Sequence, residues 1–163
     1  MGEFDPISKG MKFIALTAAL LATPALADTT VADWRAAPDM PIAATGVDLA
    51  DFKWQARPLV VFADSPLNPA FQEQMELLTA QIDDIVDRDI LVIVDTDPSA
   101  QSALRQTLRP SGFMLVLIGK DGGVKLRKPF PWDVREISRV IDKMPMRKRE
   151  IEERQTNAMF GDN

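Results

Sequence analysis

Three short, unbroken apolar runs constrain this chain more than any other feature. Leu59-Val60-Val61-Phe62-Ala63, Ile90–Val94 and Phe113–Ile118 are too short for helices and lack the alternation of a sheet with one wet face. Such runs are expected as strands covered on both sides. After the first comes a loop, Asp64-Ser65-Pro66-Leu67, and then Asn68-Pro69, a cap followed by proline at the first helical position. Phe71, Met75, Leu78, Ile82 and Ile85 then recur at helical spacing, which predicts one amphipathic helix ending near Arg88. Asp97-Pro98 repeats the cap-plus-proline signal and opens a shorter helix carrying Ala103, Leu104 and Leu108, broken by Pro110-Ser111-Gly112. Asp121-Gly122 predicts a hairpin turn into Val124-Lys125-Leu126. Asp133 with Glu136 resembles a capping box, and Val134, Ile137, Val140, Ile141 and Met144 line the inner face of a closing helix.

The predicted order is β-α-β-α-β-β-α. Handedness rules leave few compact solutions for it, and the expected one is an α/β, thioredoxin-like fold with a mixed four-stranded sheet and helices on both faces. At 163 residues one such domain is expected, over 57–151. Residues 28–56 show no sustained period and read as an arm tied down by Trp34, Phe52 and Trp54. Residues 152–163 read as a polar, fraying tail. Pro145 should kink or end the closing helix, and Met144 and Met146 read as gap-filling core rather than a docking surface.

The front of the chain reads as an address. Met11-Lys12 forms a short basic region, Phe13 to Ala22 an apolar run, and Ala25-Leu26-Ala27 an A-x-A cleavage site. The run falls well short of the ~20 residues that span a bilayer. The expectation is a secretory signal over 11–27, cut after Ala27, leaving no stable membrane anchor and a periplasmic or secreted protein. Glu3 and Asp5 sit where a signal should be basic, so residues 1–10 read as a vector-derived scar or a mis-assigned start.

The chain contains no cysteine, histidine or tyrosine. Thiol redox chemistry, disulfides, Cys/His zinc sites, haem ligation and imidazole-based triads are thereby excluded. A net charge of −5 gives no reason to expect nucleic acid.

Gly119-Lys120-Asp121-Gly122-Gly123-Val124-Lys125-Leu126-Arg127, Ile141 to Glu150 with its Met-Pro-Met-Arg stretch, and Arg57-Pro58-Leu59-Val60-Val61-Phe62 resemble an uncharacterised thioredoxin-like family. It includes short secreted proteins of proteobacteria, with related domains in vertebrate extracellular proteins such as sushi-repeat proteins. The resemblance runs from Phe52 to Ile151 and implies a fold and an extracytoplasmic habit, with no activity to carry over. The chain is more distantly similar to thioredoxins and peroxiredoxins. Those place a reactive cysteine where this chain has Asp64-Ser65-Pro66-Leu67-Asn68, and a cis-proline at a position falling near Met114, with Pro110 the nearest proline. A serine hydroxyl cannot replace a thiolate, so dithiol exchange and peroxide reduction are not expected.

Ligands of open α/β sheets favour the carboxyl edge of the parallel strands. That edge should collect Asp64 and Ser65, Asn68 at the next helix start, Asp95 and Asp97, then Arg109 and Ser111 before the hairpin. Arginine beside carboxylates can hold an anion, a peptide terminus or a hydrated cation. The plainer reading makes Asn68 and Asp97 caps, Ser65 and Ser111 turn residues, and Arg109 a neutraliser of nearby acid. Asp95-Thr96-Asp97 also resembles the aspartate pair of nucleophilic phosphatases, though Pro98 marks Asp97 as a cap. Asp83, Asp84 and Asp87 read as a solvated face rather than a metal patch, and no metal or cofactor is expected.

Charge is divided along the chain. Residues 28–100 carry 14 acidic and 4 basic side chains, and residues 101–163 carry 8 and 13. The basic half concentrates at Lys125, Arg127 and Lys128 and at Arg147-Lys148-Arg149, to be paired with the acidic first helix or left as a surface for a partner. The expected function is a non-catalytic binding or accessory module of the periplasm, acting on an unknown protein or a small anionic ligand. The alternatives are a non-redox hydrolase using Asp95 and Asp97 or a metal, and an oligomeric structural protein.

Overall fold

The structure is a computed structural model and describes residues 29–160. The expected leader and the first ten residues lie outside that range.

The predicted strands form. β2 (Arg57–Phe62), β3 (Ile90–Asp95), β4 (Met114–Ile118) and β5 (Val124–Lys128) follow β1 (Ile42–Ala43), in a single sheet ordered β1-β3-β2-β4-β5. The sheet therefore has five strands rather than four. β1 comes from the arm and runs parallel to β3, pairing Ile42 with Ile93. β2 is parallel to β3, while β4 is antiparallel to both β2 and β5. Every residue of β2 is buried. Its side chains divide between two cores, as the period of two requires: Val60 and Phe62 face one, Leu59 and Val61 the other.

Helices cover both faces. On the Leu59 side lie α2 (Pro69–Ala80), α3 (Ile82–Asp87) and α5 (Val134–Asp142), through Leu78, Ile85, Ile137 and Ile141. The single helix expected from Asn68 to Arg88 breaks at Gln81, whose backbone is not helical and whose N–H bonds the Leu78 carbonyl. The Val60 side is covered by α4 (Ala103–Leu108) and by the arm. The arm is less irregular than its sequence reads. α1 (Val31–Ala36) has a full capping box between Thr30 and Asp33, and its Trp34 meets Phe52 edge-on, 6.4 Å between ring centroids. Trp54, expected to help tie the arm down, is instead 56% exposed.

Local signals hold with adjustments. Asn68 Oδ1 accepts from the N–H groups of Ala70 and Phe71. Asp97 caps only a 3₁₀ turn, Pro98–Ala100, and α4 begins separately with Ser102 as its cap. Asp133 caps α5 through the Arg135 N–H, while Glu136 pairs with Arg139 rather than closing a capping box. Pro145 ends the closing helix and starts α6 (Pro145–Phe160), which continues as an exposed helix through much of the expected tail. Among the described residues no helix is long and apolar enough to cross a membrane.

Candidate functional site at the carboxyl edge of the parallel strands

β2 and β3 end side by side at Phe62 and Asp95, so the loops that follow them open on one edge. Asp95 is the most enclosed polar residue of that edge, at 5% exposure. A buried carboxylate needs compensation, and Asp95 has it twice over. Ser102 donates its hydroxyl to Oδ2, and Arg105 reaches Oδ1 through Nη2 at 2.8 Å and Nε at 3.1 Å. Arg105 Nη2 also donates to the Ala63 and Asp95 carbonyls, and its guanidinium lies 5.4 Å from the Phe62 ring centre. The group cross-ties the ends of β2 and β3 to α4.

The neutralising role expected of Arg109 thus belongs to Arg105. Sequence reading passed over Arg105 because it lies one position beyond Leu104 on a helix read for its apolar face. The available signal was a cation in a short helix directly after a buried-type strand ending in aspartate. Arg109 is exposed at the end of α4 in a left-handed conformation (φ 48°) and makes no ion pair among the described residues. Arg127 caps the same helix by donating to the Leu108 carbonyl at 2.7 Å.

The remaining candidates lie in the loops. Ser65 Oγ accepts from the Leu67 N–H at 3.1 Å, a local turn bond. Asp64 is exposed, and its carboxylate makes no hydrogen bond among the described residues; its loop approaches that of Ser111-Gly112, where a Cβ on Gly112 would stand 3.9 Å from Asp64 Oδ2. Asp97 accepts from the Ser99 hydroxyl and N–H, and these bonds hold its carboxyl below the usual range. Asp95 and Asp97 therefore carry different structural duties, one in an ion pair and one in a cap. Among the described residues no three carboxylates gather closely enough to hold a metal.

A second polar cluster, at the opposite end of the strands, absorbs much of the charge asymmetry. Arg57, only 1% exposed at the start of β2, donates to the Arg88 carbonyl and to both oxygens of Glu150. Lys120 bridges Glu150 and Asp89. Arg147 is buried against Asp87, which also pairs with Arg154 at 2.7 Å, and Arg88 reaches Asp142 and Asp84. Burial opposes the charge on Glu150 and Asp87, yet hydrogen bonds outweigh it and lower both pKa values: from Arg57 and Lys120 on Glu150, from Arg154 and Arg147 on Asp87. The acidic end of α3 and Arg147 are thus paired within the molecule. Lys148 and Arg149 remain exposed.

A mixed sheet of this topology, a strand-to-helix corner built of Asp64 and Ser65, and a chain without cysteine define a thioredoxin-fold domain that cannot carry thiol chemistry. The 2-Cys peroxiredoxin of Plasmodium vivax in its reduced form is similar in structure, with a TM-score of 0.50 and 16% identity over 63% of this chain and 85% of that one. The mitochondrial 2-Cys peroxiredoxin of Plasmodium falciparum follows with a TM-score of 0.40, 22% identity, and 59% and 79% of the two chains covered. Thioredoxin peroxidase I of Plasmodium yoelii gives a TM-score of 0.41 and 18% identity over 72% and 83%. No curated protein matches the sequence. The chain belongs to the family described as a domain of unknown function, DUF4174, which matches residues 48–150.

Proposed function

We propose that this protein is a non-catalytic binding or accessory module, exported through a leader cut after Ala27 and working in a bacterial periplasm. The observation that carries the reading is that both aspartates of the Asp95-Thr96-Asp97 stretch are already engaged within the molecule. Asp95, the residue a hydrolytic mechanism would need as nucleophile, is buried and held by Arg105 and Ser102, while Asp97 is engaged as a cap. With three donors on its two oxygens and only 5% of its surface exposed, Asp95 offers a substrate little access.

The test is a screen of phosphatase and esterase substrates with and without Mg²⁺ and Ca²⁺, run on the full chain and on Asp95→Asn. No turnover above background is expected in either. Turnover that disappears in Asp95→Asn would install the hydrolase reading instead, and turnover lost on changing Asp64, Ser65 and Arg109 to alanine would equally overturn the proposal. Export has its own check: protein recovered from a bacterial periplasm should begin at Asp28.

A further inference from the structure

One cleft lies away from the carboxyl edge, beside the ion-pair cluster at the other end of the strands. It has a volume of about 390 Å³, within the range of small-molecule sites, and is lined by Trp54, Lys120, Met144, Pro145, Met146 and Arg149. Three features of its walls are those of a binding site. Trp54 keeps a large ring exposed while its backbone sits at φ 67°, a left-handed conformation that bulky residues rarely adopt, pinned by its N–H donating to the Lys120 carbonyl at 2.7 Å. Facing walls come from the α5–α6 junction, where Pro145 turns the chain and leaves Met144 and Met146 half-buried. Arg57, which also lines the cleft, is buried with its Nε lacking any partner.

Charge decides what fits. Arg57 and Lys120 share Glu150, and Lys125 is paired with Asp121 at 2.6 Å. Arg149 has no ion-pair partner among the described residues, and Lys53, with none either, stands 5.5 Å from the Trp54 ring centre. An indole and two thioethers favour a ring, and an unpaired guanidinium favours a carboxylate. We infer that the cleft binds a small aromatic carboxylate, its ring against Trp54 and the methionines and its carboxylate on Arg149. This rests on the binding-module reading and moves the site to the opposite end of the sheet from Asp64, Ser65 and Arg109.

The experiment is calorimetric titration of the full chain with 2-naphthoate, the uncharged 2-naphthamide and octanoate. Naphthoate should bind, with naphthamide and octanoate each about tenfold weaker or more. Arg149→Gln should weaken naphthoate about tenfold and leave naphthamide unchanged. Trp54→Gly removes the ring and places the residue best suited to φ 67° there, so it should abolish binding while melting no lower than the parent. No binding of any probe, or binding indifferent to both variants, overturns the proposal. Octanoate binding as well as naphthoate overturns the aromatic class. Naphthoate lost only on changing Asp64, Ser65 and Arg109 overturns the location while sparing the binding-module reading.

Discussion

Arg105 and Gln74 show how much depends on single polar side chains inside this fold. Removing Arg105 would strand the Asp95 carboxylate in the interior. Arg105→Met should therefore cost about 3–5 kcal/mol by denaturant unfolding, and adding Asp95→Asn should recover much of it. Gln74 is wholly buried on α2, its Nε2 donating to the Trp132 carbonyl at 3.1 Å while its Oε1 accepts from the Trp132 N–H at 2.8 Å. It satisfies one backbone unit of the segment entering α5. Gln74→Leu leaves both groups of that unit unmet and should cost about 1–3 kcal/mol, with faster hydrogen exchange at the Trp132 amide. Neither residue was legible in the sequence. Polar side chains read as surface until a partner far along the chain is in view, and Trp132 is such a partner.

Elements were legible where their cause is local. Asn68-Pro69, Asp133 and the Asp121-Gly122 turn act within a few residues, and the central strands announce themselves by their unbroken apolar runs. What the sequence hid was tertiary: β1, two residues long, exists only because β3 offers it an edge, and the break at Gln81 has no proline or glycine to mark it. At the carboxyl edge the caps and turns were readable, whereas the ion pair between Asp95 and Arg105 was not. The junction of α3, β2 and α6 carries a pH dependence. Glu150 and Asp87 have folded-state pKa values below their unfolded ones, so their contribution is complete above the ordinary carboxylate range, about pH 4–4.5, and is lost as pH falls through the lowered values. Stability should hold from pH 7 to about 5 and decline below about 4.5. Glu150→Gln should flatten that decline in acid unfolding curves.

For the whole molecule, the sheet's two edges are defended differently. β1 is too short to template another strand, and β5 carries three cations, Lys125, Arg127 and Lys128, along the other edge. Replacing Lys125 and Lys128 with valine should leave the fold in place by circular dichroism and raise light scattering relative to the parent.

The pairing of Ile42 with Ile93, and of Leu59 with Leu117, sets an order in time as well as in space. A ribosome delivers the arm and β2 long before the strands that receive them, so Trp34, Phe52 and Phe62 wait without a core until the chain has grown past Ile118. Chains of such non-local pairing fold late and all at once. Under the export proposed above, that delay would keep the polypeptide pliable until it had crossed the membrane.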